Sequence, residues 1–120
     1  MGFKKVLEPF HFMAANESSV SVSGTNTYDS IPVNVKNLDG ISIQLIWTGT
    51  PTGTFTVFHS ITGKYWDSIP VSPVITQPAG SSGNWTVSIP FETSFWIKVQ
   101  YINASGSGVI DAIIAAKDVN

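Results

Sequence analysis

The sequence predicts an all-β domain: an antiparallel two-sheet β-sandwich of about eight strands, jelly-roll or Ig-like, with an N-terminal arm. Three observations predict it. Apolar and polar residues alternate with a period of two through most of the chain. The alternating runs are filled with Val, Ile, Thr, Phe, Tyr and Trp, residues that fit a pleated, half-buried surface. Segments rich in Gly, Ser, Asn and Pro separate the runs at short intervals, as turns do.

The first 17 residues lack the alternation. They carry Phe3, Val6, Leu7, Phe10, Phe12 and Met13, interrupted by Glu8, Pro9 and His11, and read as an extended arm or a single helical turn. Residues 18–120 read as one sandwich domain, with strands expected at 18–23, 31–36, 41–48, 53–60, 65–70, 85–91, 95–102 and 108–116. Ile41, Ile43, Leu45 and Trp47 form one face of the first strong strand, after an Asp39-Gly40 turn. The run 48–53 turns the chain into Phe55 and Val57, and Ile61-Thr62-Gly63-Lys64 reads as a hairpin turn. The Gly/Ser-rich stretch 78–83 feeds Trp85, Val87, Ile89 and Phe91. Phe95, Ile97, Val99 and Tyr101 alternate with Trp96, Lys98 and Gln100. Residues 109–116 are apolar on both faces, so periodicity alone leaves strand and helix open; the Gly-rich turn before them and their Ile and Val content favour a strand.

At 120 residues the chain is the size of one domain. With 42% apolar and 12% charged residues it is too apolar and too weakly charged for disorder. A net charge of −2, six scattered Lys and no Arg leave no basic footprint for nucleic acid. Without Cys there is no disulfide and no thiolate ligand, and two separated His are too few for a transition-metal cage. Neither a cofactor nor metal dependence is expected. No apolar run approaches the ~20 residues of a membrane helix, and Glu8, Pro9 and His11 break the stretch where a signal peptide would need its apolar core. Synthesis in the cytoplasm without a signal peptide is therefore the expectation. Asn16, Asn84 and Asn103 begin glycosylation tripeptides, as chance allows in a Ser/Thr-rich chain.

Residues that could do chemistry are sparse. His59, Ser60 and Asp67 carry the letters of a nucleophile triad, but His59 and Ser60 are adjacent in a strand and face opposite ways. Asp39, Asp67, Glu92 and Asp111 are dispersed, and a glycosidase needs two carboxyls facing each other across a cleft. The chain is expected not to be an enzyme. Its aromatic residues divide instead. Trp47 and Trp85 lie on apolar faces and are expected in the core. Tyr65, Trp66 and Trp96 are the candidates for exposure, on a surface for protein contacts or, alternatively, for sugar stacking.

Three runs carry a family resemblance. They are Ile43–Val57, with Thr48-Gly49-Thr50-Pro51-Thr52-Gly53-Thr54-Phe55 at its centre; Ser60–Ile69, with Tyr65-Trp66; and Phe95–Tyr101. Their order resembles the small β-sandwich accessory proteins, of decoration or head-fibre type, of tailed-bacteriophage virions; Thr62 stands where that pattern usually has Asp. The resemblance implies a non-enzymatic virion structural protein, located in the virion and contacting capsid or head proteins. It also implies a homo-oligomer, with a trimer as the first expectation. The apolar residues Phe3, Val6, Leu7, Phe10, Phe12 and Met13 suggest how: an arm laid on a neighbour buries ~1.5–3 kcal/mol per large side chain. The alternatives are a carbohydrate-binding module, and an arm that folds back onto its own sandwich.

Overall fold

The computed structural model describes residues 6–15, 18–38, 40–68, 75–76, 82–89 and 95–118. Among the described residues ten strands make two antiparallel sheets. They are β1 (Val6–His11), β2 (Val20–Val22), β3 (Thr27–Asp29), β4 (Val33–Asn34), β5 (Gly40–Gly49), β6 (Thr52–Ser60), β7 (Ile75–Thr76), β8 (Gly83–Ile89), β9 (Trp96–Ser105) and β10 (Gly108–Lys117). The first sheet runs β1-β10-β5-β8, with β2 also on β10. The second runs β3-β9-β6-β7, with β4 also on β9.

Counting β1 with β2, and β3 with β4, as one position each reduces the pairing to first with last, second with seventh, third with sixth and fourth with fifth. That is a long hairpin rolled over on itself, the winding of a jelly roll rather than of an immunoglobulin domain.

The core lies between the sheets. One wall is Ile41, Ile43, Leu45 and Trp47 of β5 with Ile110, Ala112 and Ile114 of β10. The other is Phe55 and Val57 of β6 with Ile97, Val99 and Tyr101 of β9. All are alternate residues of long strands, as the period of two requires. Trp47 lies 6.3 Å from Phe55, ring centre to ring centre. Opposite Trp47 in the ladder stands Gly83, where a Cβ would come within 2.9 Å of the indole, so β8 begins with the residue that leaves room for the ring.

Within the segment expected as an arm, residues 6–13 join this sandwich. β1 pairs with β10 of its own chain, and Phe12 and Met13 then turn into the core, where they are 0% and 1% exposed. The Phe12 N–H donates to the Ala112 carbonyl, and its own carbonyl accepts from Ile31 N–H. Val6–His11, Phe12 and Met13 are thus joined by hydrogen bonds and packing to strands of the segment 18–120. Pro9 is accommodated by a bulge. Between Leu7 and Phe10 β1 advances three residues while β10 advances two, from Ala116 to Ile114. The extra residue leaves the ladder at the position where Pro lacks a donor.

Three further expectations need correction. The strand expected at 31–36 is only Val33–Asn34, and Thr27–Asp29 forms a separate strand before it. Between them the Ser30 N–H still donates to the Val99 carbonyl, but the returning Val99 N–H goes to Ser30 Oγ at 2.8 Å, and that hydroxyl donates to the Ile31 carbonyl. The strand expected at 65–70 does not form over its described part, 65–68; the next strand to pair antiparallel with β6 is β7, with Thr76 opposite Thr54 and Ile75 opposite Phe55. Trp85 is 52% exposed rather than core. It does share the inward face, being paired with Leu45, but among the described residues β8 is the last strand of its sheet and pairs with β5 alone.

Candidate functional site: an aromatic face on the second sheet

The outer face of the second sheet gathers the aromatic candidates. Along β9, Trp96, Lys98 and Gln100 point away from the core, since the alternate residues Ile97, Val99 and Tyr101 are buried. The ladder sets Lys98 beside Phe58, and Gln100 beside Thr56 and Asp29. Trp66 comes over this face from the loop after β6, its ring centre 4.9 Å from the Lys98 ammonium. Phe58 lies 6.0 Å from the same ammonium, and an Asp29 carboxylate oxygen lies 3.9 Å from it. Gln100 donates to Asp29 at 2.9 Å. One cation is thus sandwiched by two rings and faced by one carboxylate, an arrangement that straightens a flexible lysine along the sheet.

The loop that delivers Trp66 is held by its first residue. Ser60 Oγ accepts from the N–H groups of Thr62 and Gly63, at 3.1 and 2.9 Å, and donates to the Tyr65 carbonyl at 2.6 Å. Thr62 Oγ1 accepts from the N–H groups of Lys64 and Tyr65. These local side-chain bonds compete with ladder pairing, which is why the chain curls here instead of forming the expected strand. Gly63 has φ of +79° and lies flat against Trp96, where a Cβ would be 3.1 Å from the indole. Asp67 closes the loop: its N–H donates to the His59 carbonyl, and its carboxylate lies 2.8 Å from His59 Nε2.

So His59 and Asp67 do meet, while Ser60 is buried and its hydroxyl is committed to the loop. Ser60→Ala is expected to cost about 1–3 kcal/mol, because it orphans the two N–H groups and the carbonyl that the hydroxyl serves. Faster proteolysis within 61–67 should accompany it; unchanged melting and unchanged cleavage would show that the loop is held otherwise.

The named candidates fall into three groups. Tyr65 is 81% exposed, while Trp66 and Trp96 are half-buried against their own chain. Val6 is 59% exposed; Leu7 and Phe10 are half-buried against the core that contains Phe12 and Met13. Phe3 lies outside the described residues. Val6 and Leu7 line an apolar groove of about 430 Å³ with Ile41, Ile89, Ala116 and Lys117, at the end of the first sheet. The structure therefore does not unite the candidates: one set belongs to the first sheet and the other to the outer face of the second.

Phe58, Lys98 and Asp29 complete the aromatic face and were not singled out from the sequence. Phe58 and Lys98 were visible as outward positions of their strands; Asp29 became a neighbour only through β3–β9 pairing. The first sheet holds a second His–Asp pair on its own outer face, His11 Nδ1 and Asp111 Oδ2 at 2.6 Å. Among the described residues no three His, Cys, Asp or Glu side chains gather as metal ligands would. Asn103, which opens one glycosylation tripeptide, is 1% exposed.

Comparison with known proteins defines the class of fold. No family model matches the chain, and no curated protein does. Solved structures do match. A chain of infectious bursal disease virus, Gx strain, superposes with a TM-score of 0.63 at 14% identity, over 97% of this chain and 33% of that one. The PBSX exported protein XepA gives 0.61 at 11% identity, over 96% of this chain and 37% of its own. Tailspike protein 4 of bacteriophage CBA120, in its enzymatically active domain, gives 0.58 at 9% identity, over 96% and 19%. The likeness is one of fold, and this chain spans little more than a third of the longest-covered of these three proteins.

Proposed function

We propose that this chain is a non-enzymatic structural protein of a virus particle, a capsid decoration or accessory subunit of a tailed phage that acts through protein–protein contacts. The observation that carries the reading is the jelly roll itself. The superpositions cover 96–97% of the chain and match parts of a chain of infectious bursal disease virus, the PBSX exported protein XepA and a phage tailspike. The residue order in the three runs that resemble phage accessory proteins supports the same reading, and so do two aromatic-bearing surfaces where a compact sandwich could meet neighbours.

The test is location. Purified particles from the source of the gene, probed with antibody to the chain and sedimented with added protein, should retain it in a fixed ratio to capsid protein. Absence from washed particles would end the proposal.

A second reading rests on Tyr65, 81% exposed and next in the chain to Trp66, whose ring lies over Lys98. Exposed rings next to hydroxyl-binding polar groups suit sugars. Saturable binding to a glycan array that is lost in Tyr65→Ala and Trp66→Ala would favour a carbohydrate-binding module.

A further inference from the structure

Strand edges are where one chain's backbone can pair with another, and soluble proteins usually blunt them. Most edges of this sandwich are blunted. β1 carries Glu8, Pro9 and a bulge. β2, β3, β4 and β7 are two or three residues long. β8 differs. It runs for seven residues, Gly-Asn-Trp-Thr-Val-Ser-Ile, with no charge, no proline and no register shift against β5. Among the described residues it pairs with β5 alone. Asn84, Trp85, Thr86 and Ser88 are exposed, and Trp85 leaves half of a large ring in water.

We propose that β8 is a self-association edge: two copies of the chain join their first sheets by antiparallel pairing of β8 with β8, about a two-fold axis at Thr86. The partner is a second copy because the strand is complementary to itself. Thr86 is the midpoint of Gly83–Ile89, and a two-fold there is the only register that engages all seven residues. It sets Trp85 opposite the partner's Val87, Asn84 opposite the partner's Ser88, and Thr86 opposite the partner's Thr86.

Residues directly opposite one another share a face. Trp85 and Val87 are on the inward face, paired with Leu45 and Ile43. Each exposed indole would therefore cover the half-buried Val87 of the other copy, twice by symmetry. Aromatic–β-branched and Thr–Thr pairs are among the favourable cross-strand pairs, and an uncharged strand meets its copy without like-charge repulsion. The axis is isologous and closes at two subunits, so this edge gives a dimer and not the trimer that the phage resemblance implies.

The chain has no Cys, so Thr86→Cys adds a single thiol. Opposed residues of an antiparallel pair have Cα atoms roughly 4.5–5.5 Å apart, within the reach of a disulfide. Under mild oxidation that variant should cross-link to a covalent dimer. Ser42→Cys, on a strand flanked by β10 and β8, should not. In sedimentation, Thr86→Lys should weaken the wild-type dimer by roughly tenfold or more, because like charges would sit opposite on the axis. A mixture of Thr86→Lys and Thr86→Glu should restore it.

Thr86 is exposed, and circular dichroism confirms whether each variant folds; if the charged variants do not, the cysteine pair decides. A wild-type chain that is monomeric at high micromolar concentration would overturn the proposal. So would an oligomer indifferent to Thr86→Lys, or cross-linking no better at Thr86 than at Ser42. The experiment uses the chain alone, so its failure leaves the virion reading untouched.

Discussion

Trp47→Ala is expected to destabilise the domain by about 3–5 kcal/mol, while Trp85→Ala is expected to cost about 1 kcal/mol or less. The two tryptophans are indistinguishable in the sequence: each sits on the apolar side of an alternating strand. In the fold they differ by position in the sheet. Trp47 is 3% exposed on a strand with neighbours on both sides, against Phe55 and over Gly83. Its removal leaves a cavity that rigid strands cannot collapse to fill. Trp85 is 52% exposed at the edge, so truncation removes surface that water already touches. Urea denaturation of the three proteins measures both. If the two variants lose equal stability, the edge placement of β8 is wrong. If Trp85→Ala also abolishes self-association without unfolding, the loss belongs to the interface proposed for β8.

That contrast shows what the alternation could and could not reveal. A period of two identifies which residues share a face, and it did so for Ile41 to Trp47, for Ile97 to Tyr101 and for Trp85 itself. It carries no information on whether a strand lies inside the sheet or at its edge, because that depends on which strands pair. The strand–helix ambiguity of 109–116 resolves for the same reason. β10 is flanked by β5 on one side and by β1 and β2 on the other; Ile110, Ala112 and Ile114 face the core, and Val109, Ile113 and Ala115 are half-buried on the opposite face.

The signals of the opening segment conflict. A bulge at Pro9 interrupts the period of β1, and Phe12 and Met13 enter the core through irregular backbone that has no period at all. The curled segment 61–68 shows the complementary error. Tyr65 and Trp66 have strand propensity, yet one hydroxyl, Ser60 Oγ, satisfies three local backbone groups and the ladder loses. Asp29 was invisible as a member of the aromatic face, since only β3–β9 pairing brings it there.

The second large effect is expected at Asn103. Its side chain is a buried node. Oδ1 accepts from the Tyr101 hydroxyl at 2.8 Å, and Nδ2 donates to the carbonyls of Gly24 and Gly106 at 2.8 and 3.0 Å. It thereby ties β9 to the turn before β3 and to the β9–β10 hairpin. Asn103→Ala is expected to cost about 2–4 kcal/mol, since a buried donor left alone costs about 1–3 kcal/mol and two carbonyls lose a partner as well. Tyr101→Phe should cost less, about 1–2 kcal/mol, by orphaning only Oδ1. The double variant should lose less than the sum, because each single change already breaks the shared bond.

Tyr101 also sets an alkaline limit. Burial, and then the nearby Tyr28, push its phenol up to about 12 from the usual 10.0. Above pH 10 the unfolded chain gives up this proton while the folded chain keeps it, so the unfolded state binds fewer protons and stability falls as pH rises. The contribution is complete below pH 10 and is lost as pH rises through about 12. Urea midpoints measured from pH 8 upward should therefore fall more steeply above pH 10 in the wild type than in Tyr101→Phe. Parallel curves for the two proteins would mean that the phenol ionises as freely in the fold as out of it.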